Sequence, residues 1–193
     1  MCRGADRVDT QVEATAISKK VCLLGDYAVG KTSLVRRFVY DLFDDKYIST
    51  IGVKVSRKVI AVPRGDGVVE LTMMLWDLAG SKEFDRVRAS YLRGSAGAVV
   101  ICDLTRPETL GSLRRYVDEL RTVNPGARLI LAANKRDLVE PPLPEGLRTL
   151  DPEQVEAEAA SLGAPYYLTS AKTGDKIEEL FRHLGRLLVS KRL

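Results

Sequence analysis

Cysteine, histidine and aromatic residues are scarce in this 193-residue chain, and each shortage closes off a class of protein. Three cysteines with neither CxxC nor Cys/His spacing make no disulfide framework and no zinc site. Cys22 and Cys102 sit inside apolar runs, where cysteine acts as a small buried hydrophobe, while Cys2 lies in a polar leader. The single histidine, His183, follows Arg182 in a helical pattern and reads as a solvated or core-edge side chain rather than a ligand or base. An excess of one charge is missing too. Lys and Arg number 30 against 26 Asp and Glu, and the basic residues are scattered. With aromatics at 6%, nucleic acid is not the default partner. No apolar run approaches a membrane span, and the N-terminus lacks a signal-peptide core, so a cytoplasmic location is expected.

What is present is ordinary in amount and informative in order. Apolar content of 45% and charge of 29% suit one globular domain with a two-sided core. Residues 1–18 are polar and aperiodic, which predicts a flexible leader ahead of a domain over 19–193. Val21-Cys22-Leu23-Leu24, Ala98 to Cys102 and Leu129 to Ala133 are continuous apolar runs, the mark of strands buried on both faces. Val53–Val62 and Val68–Trp76, separated by Pro63-Arg64-Gly65-Asp66-Gly67, predict a hairpin, and Pro165–Leu168 a shorter strand. Helical patterns lie between: Lys31 to about Tyr40, then a stripe of Leu110, Leu113, Val117 and Leu120 behind a capping box at Thr105–Glu108. A second box opens at Asp151-Pro152, and Ile177, Leu180, Phe181, Leu184 and Leu188 stripe the last helix. Alternating strands and helices predict an α/β fold with a mostly parallel sheet covered on both faces.

Gly25-Asp26-Tyr27-Ala28-Val29-Gly30-Lys31-Thr32, followed by Ser33, fits G-x-x-x-x-G-K-[ST] directly after a strand and at the start of a helix. Inward-facing N–H groups of such a loop cradle phosphate oxygens. Lys31 would add charge at the β- and γ-phosphates, and the Thr32 hydroxyl would ligate Mg²⁺. This pattern says nothing of the base. Asn134-Lys135-Arg136-Asp137 does, because it follows a buried strand, where ligand loops of open α/β sheets lie. A carboxylate at Asp137 accepts the two N–H groups of guanine and repels the acceptor nitrogen of adenine.

On these motifs, together with Tyr47-Ile48-Ser49-Thr50-Ile51-Gly52, Trp76-Asp77-Leu78-Ala79-Gly80, Tyr91-Leu92-Arg93-Gly94 and Ser170-Ala171-Lys172, the chain resembles the Ras superfamily of small GTPases, most closely its Rab branch. The resemblance spans about residues 19 to 190 and implies the P-loop NTPase G domain: six strands, the second antiparallel, and five helices. It implies GTP and GDP with Mg²⁺ as ligands. It implies that Thr50 ligates the metal when the γ-phosphate is present, that Asp77 holds a metal-bound water, and that the Gly80 N–H meets the γ-phosphate. Phe43 would lie across guanine and Tyr47 over the phosphates. The Ala171 N–H would reach the base oxygen, with Lys135 and Lys172 flanking the ring. Thr50 would also place the attacking water. Exchange factors, activating proteins and effectors are the implied partners, meeting the switch regions; a monomer is only the default.

Three departures from that pattern matter. Ser81 stands where most of the family has a water-orienting glutamine, and Tyr27 is bulky where a small residue is common. Both bear on turnover more than on binding, which predicts slow intrinsic hydrolysis. The C-terminal Ser190-Lys191-Arg192-Leu193 carries no prenylation cysteine, and Met1-Cys2 offers no myristoylation glycine, so no lipid anchor is expected unless the chain is a truncated one. Arg86, Arg88 and Arg93 read as a solvated face, and Trp76 as a core or hairpin residue. Two other readings stand beside the hydrolysing switch: a nucleotide-loaded scaffold that barely turns over, favoured by Ser81 and Tyr27, and a small-metabolite kinase. The kinase has no use for Asn134–Asp137, and the scaffold none for the three γ-phosphate sensors.

Overall fold

In the computed structural model, residues 15–44, 50, 52–65, 67–80, 85–139 and 149–190 are described. Among them are six strands: β1 (Thr15–Leu24), β2 (Val53–Arg64), β3 (Gly67–Leu78), β4 (Gly97–Asp103), β5 (Arg128–Asn134) and β6 (Tyr166–Leu168). The sheet order is β2-β3-β1-β4-β5-β6. Only the β2–β3 hairpin is antiparallel, with Val55 opposite Trp76; every other pairing is parallel.

The apolar runs behave as their composition requires. Val21, Cys22 and Leu23 are fully buried although successive side chains point to opposite faces. Val21 and Leu23 join one core with helices α1 (Lys31–Tyr40) and α6 (Ile177–Val189), where Phe38 stacks on Phe181 with ring centroids 4.1 Å apart. Cys22 and Leu24 join the other, with α4 (Leu113–Val123) and α5 (Pro152–Leu162). The remaining α-helical segments are α2 (Asp85–Leu92) and the four-residue α3 (Glu108–Gly111).

Three expectations change. β1 begins at Thr15, which pairs with Val69, so residues 15–18 belong to the sheet and not to the leader. Thr15-Ala16-Ile17-Ser18 is too short to show a strand's alternation, and the pairing comes from the long β3 beside it. The third expected helix is broken at Ser112 into α3 and α4, giving six α-helical segments among the described residues rather than five. Thr105 does not cap it: its hydroxyl donates to Asp103 Oδ1 at 2.7 Å, and the N-cap position is Pro107. The second box does form, with the Gln154 side chain accepting the Asp151 N–H at 3.0 Å.

Candidate functional site

Strand order reverses at β1, which has β3 on one side and β4 on the other, and the loop after β1 opens at that point. The segment 25–30 leads from Leu24 into α1, and Gly30 at its end has φ of 102°. A Cβ there would lie 2.2 Å from Asn134 Nδ2, so only glycine permits the close approach that lets this amide donate to the Val29 carbonyl at 2.9 Å. Gly30→Ala is therefore expected to destabilise the fold by about 3 kcal/mol, through strain plus a lost buried bond, as read by urea unfolding.

Lys31 is 6% exposed, and its ammonium donates to the carbonyls of Gly25 at 2.8 Å and Asp26 at 2.7 Å. Burial pulls it down to about 8, against the opposing pull of Asp77 and Asp26. Beside it three oxygens converge from three segments. The Thr32 hydroxyl donates to Asp77 Oδ2 at 2.5 Å, and Thr50 Oγ1 lies 2.7 Å from Thr32 Oγ1 and 3.4 Å from Asp77 Oδ2. Burial pushes the Asp77 carboxyl up, although the Thr32 bond works the other way. Gly80 closes this wall. A Cβ on it would come within 2.6 Å of Lys31 Nζ and 2.7 Å of the Asp26 carbonyl carbon.

The opposite end is stitched by Asn134. Its Oδ1 accepts the Ala171 N–H at 3.1 Å and the Thr169 hydroxyl at 3.3 Å, so one side chain ties the loops after β1, β5 and β6 together. The Ala171 amide, expected to face the base, is thus already engaged. The Ser170 hydroxyl donates to Asp137 Oδ1 at 2.5 Å and fixes that carboxylate.

A cavity of about 320 Å³ runs between the two ends. Of the residues singled out from sequence, it is lined by Tyr27, Ala28, Gly30, Lys31, Thr32, Ser33, Phe43, Thr50, Gly80, Asn134, Lys135, Asp137, Ala171 and Lys172. Gly25, Asp26, Val29, Asp77 and Ser170 stand behind this lining and act through the bonds just described. Tyr47 and Ser81 lie outside the described residues.

Sequence reasoning missed the brace around this cavity. Asp103, wholly buried at the end of β4, takes Lys135 Nζ at 2.6 Å and Arg106 Nε at 3.0 Å. Burial raises its carboxyl, but the bonds from Lys135 and Thr105 outweigh that and hold it below the ordinary value. Arg106 reaches on to the Tyr27 carbonyl at 2.7 Å, and Arg37 on α1 donates to the Ala171 carbonyl at 3.0 Å. Arg88 is a correction. It is 1% exposed, paired with Glu119 at 3.2 Å, and belongs to no solvated face. Trp76 is half-buried beside Tyr91, as expected of a hairpin residue.

Comparison with known proteins points the same way as this geometry. The sequence model of the Ras family matches residues 20–190. Ras-related protein Rab-31 of Rattus norvegicus is 38% identical over 168 residues, covering 86% of this chain and 81% of its own. Ras-related protein Rab-22A of Homo sapiens is 37% identical over 173 residues, covering 89% and 84%. GTP-binding protein YPTM1 of Zea mays is 36% identical over 163 residues, covering 84% and 74%.

Proposed function

Since the chain belongs to the Ras family of small GTPases, being a GTP-binding switch that hydrolyses GTP, we propose that its hydrolysis depends on Mg²⁺ and runs slowly until a partner acts on the site. One observation carries this reading. Lys31, Thr32, Thr50, Asp77 and Gly80 meet at one end of a cavity whose other end holds Phe43, Asn134, Lys135 and Asp137.

The residues at the phosphate end suit Mg²⁺. Among the described residues no cluster of three or more His, Cys, Asp or Glu side chains makes a metal cage. Two hydroxyls and one carboxylate are hard oxygen donors, suited to a cation that keeps several waters and takes phosphate oxygens. Asp77 Oδ1 is buried without a hydrogen-bond partner, which fits a carboxylate awaiting a metal-bound water. Thr32 and Thr50 would be direct ligands, and Mg²⁺ would supply charge neutralisation for the phosphates. On this reading the chain's own groups do the rest. Lys31 stabilises charge on the β–γ bridge, the Gly80 N–H and the loop amides bind γ-phosphate oxygens, and Thr50 positions water through its carbonyl. Asp137, oriented by Ser170, selects guanine.

Family members act with regulators and effectors. We assign those contacts to the exposed apolar residues around Trp76: Val55, its cross-strand partner, and Val87, one turn before Tyr91 on α2.

Single-turnover hydrolysis of prebound GTP with Mg²⁺ tests the slow rate. Ser81→Gln restores a side chain long enough to orient water, and Tyr27→Gly clears an exposed ring from the cavity rim. Each is expected to speed phosphate release by about tenfold or more. A brisk wild-type rate that neither variant improves would show that another group positions the water.

A further inference from the structure

Asp26 has a second set of partners that the nucleotide reading does not use. Its carbonyl receives Lys31, and its peptide is the surface against which Gly80 packs. Its carboxylate turns away from the cavity and accepts the Tyr116 hydroxyl at 2.8 Å, with Arg115 3.8 Å from the same oxygen. Tyr116 lies on α4 and is 2% exposed. Over its ring, 4.6 Å from the centroid, sits the guanidinium of Arg88, which comes from α2. Arg88 also pairs with Glu119, one turn beyond Tyr116 on α4.

A guanidinium buried this completely is stable only while its stacking and ionic partners stay in place. α2 therefore cannot leave α4 without exposing Arg88's partners and loosening the ring beneath it. That ring carries the hydroxyl that fixes Asp26. Burial first, and the Asp26 carboxylate second, push the Tyr116 phenol up to about 12.

We propose that Arg88 and Tyr116 are positioning residues that couple helix α2 to the phosphate loop, so that docking of α2 on α4 and nucleotide binding favour each other. This rests on the cavity being the nucleotide site. The chain of contacts ends at the Asp26 peptide, which holds Lys31 and against which Gly80 packs. The coupling therefore acts on GDP through Lys31, and on GTP through Lys31 and Gly80 together. Linkage makes it reciprocal: a partner that lifts α2 releases either nucleotide, and either nucleotide holds α2 down.

The test uses Tyr116→Phe, which deletes one oxygen and keeps the packed ring, with Arg88→Met and the double variant. Two quantities are read: dissociation rates of labelled GDP and a non-hydrolysable GTP analogue, and the emission of Trp76. Trp76 is the single tryptophan and lies 6.4 Å from the Tyr91 ring of α2. Loss of a bond to a charged group is expected to speed dissociation of GDP by about tenfold, and of the GTP analogue by at least as much. The double variant should be no faster than Tyr116→Phe alone, because Arg88 acts through Tyr116. The Trp76 change on nucleotide release should shrink in both single variants. Rates within twofold of wild type, factors that multiply in the double variant, or an undiminished Trp76 change would each overturn the coupling. Wild-type protein that retains no guanine nucleotide would overturn the nucleotide reading itself, and the coupling with it.

Discussion

Lys31→Ala protein should bind GDP and GTP about 10²–10⁴-fold more weakly than wild type in calorimetric titration, the equivalent of losing two charge-assisted hydrogen bonds. The size follows from where the ammonium sits. It is buried at the foot of the loop and held by two carbonyls, so it needs no reorganisation when phosphate arrives. Burial without a full counter-charge is what lowers its proton affinity, and phosphate supplies that missing charge. Its bonds end on the loop backbone and not on the core, so circular dichroism of the variant should match wild type. An affinity within threefold of wild type would mean that phosphate binds elsewhere.

The second large effect falls at the other end of the cavity. Asp137→Ala should cut guanine-nucleotide affinity by about 10²–10⁴-fold, again two bonds to an ionised acceptor, while leaving the weak affinity for ATP unchanged. Competition of ATP against labelled GDP reads this directly, as a collapse of base preference. Ser170 holds the carboxylate in place, and the loop itself is fixed by Asn134 and the Arg136–Asp175 pair at 2.9 Å, so the variant should lose the contact without losing the loop. Equal losses for GDP and ATP would place the base outside this loop.

These two ends were legible in the sequence for the same reason. Each is a contiguous run whose spacing is set by the ligand, and each sits just after an apolar run long enough to be read as a buried strand. The β2–β3 hairpin and the two helical stripes of α4 and α6 were legible because one face of each is buried. What escaped was non-local. Nothing around Asp103 announces that it will gather Lys135, from across the neighbouring strand, and Arg106 as well. Thr105-Arg106-Pro107-Glu108 satisfied the capping pattern, yet the buried Asp103 carboxylate competed for the Thr105 hydroxyl and won. Arg88 looked like one charge among several. Its burial depends on Tyr116 and Glu119, which are 28 and 31 positions further along the chain and become neighbours only when α2 packs on α4. The four residues Thr15–Ser18 follow a long polar leader without a break, and it took the length of β3 to recruit them.

The sheet order also sets how each end of the cleft is held. The phosphate loop grows from β1, which has β3 on one side and β4 on the other. The Ser170-Ala171-Lys172 end grows from β6, a three-residue edge strand with a neighbour on one side only. Arg37 supports that end from α1, where β1's end is supported by the sheet itself. The two ends of the cleft are therefore held by different means: the phosphate loop by strands on both sides, and the Ser170-Ala171-Lys172 end by side chains, Asn134 and Arg37 above all, that bolt an edge strand's loop to the rest.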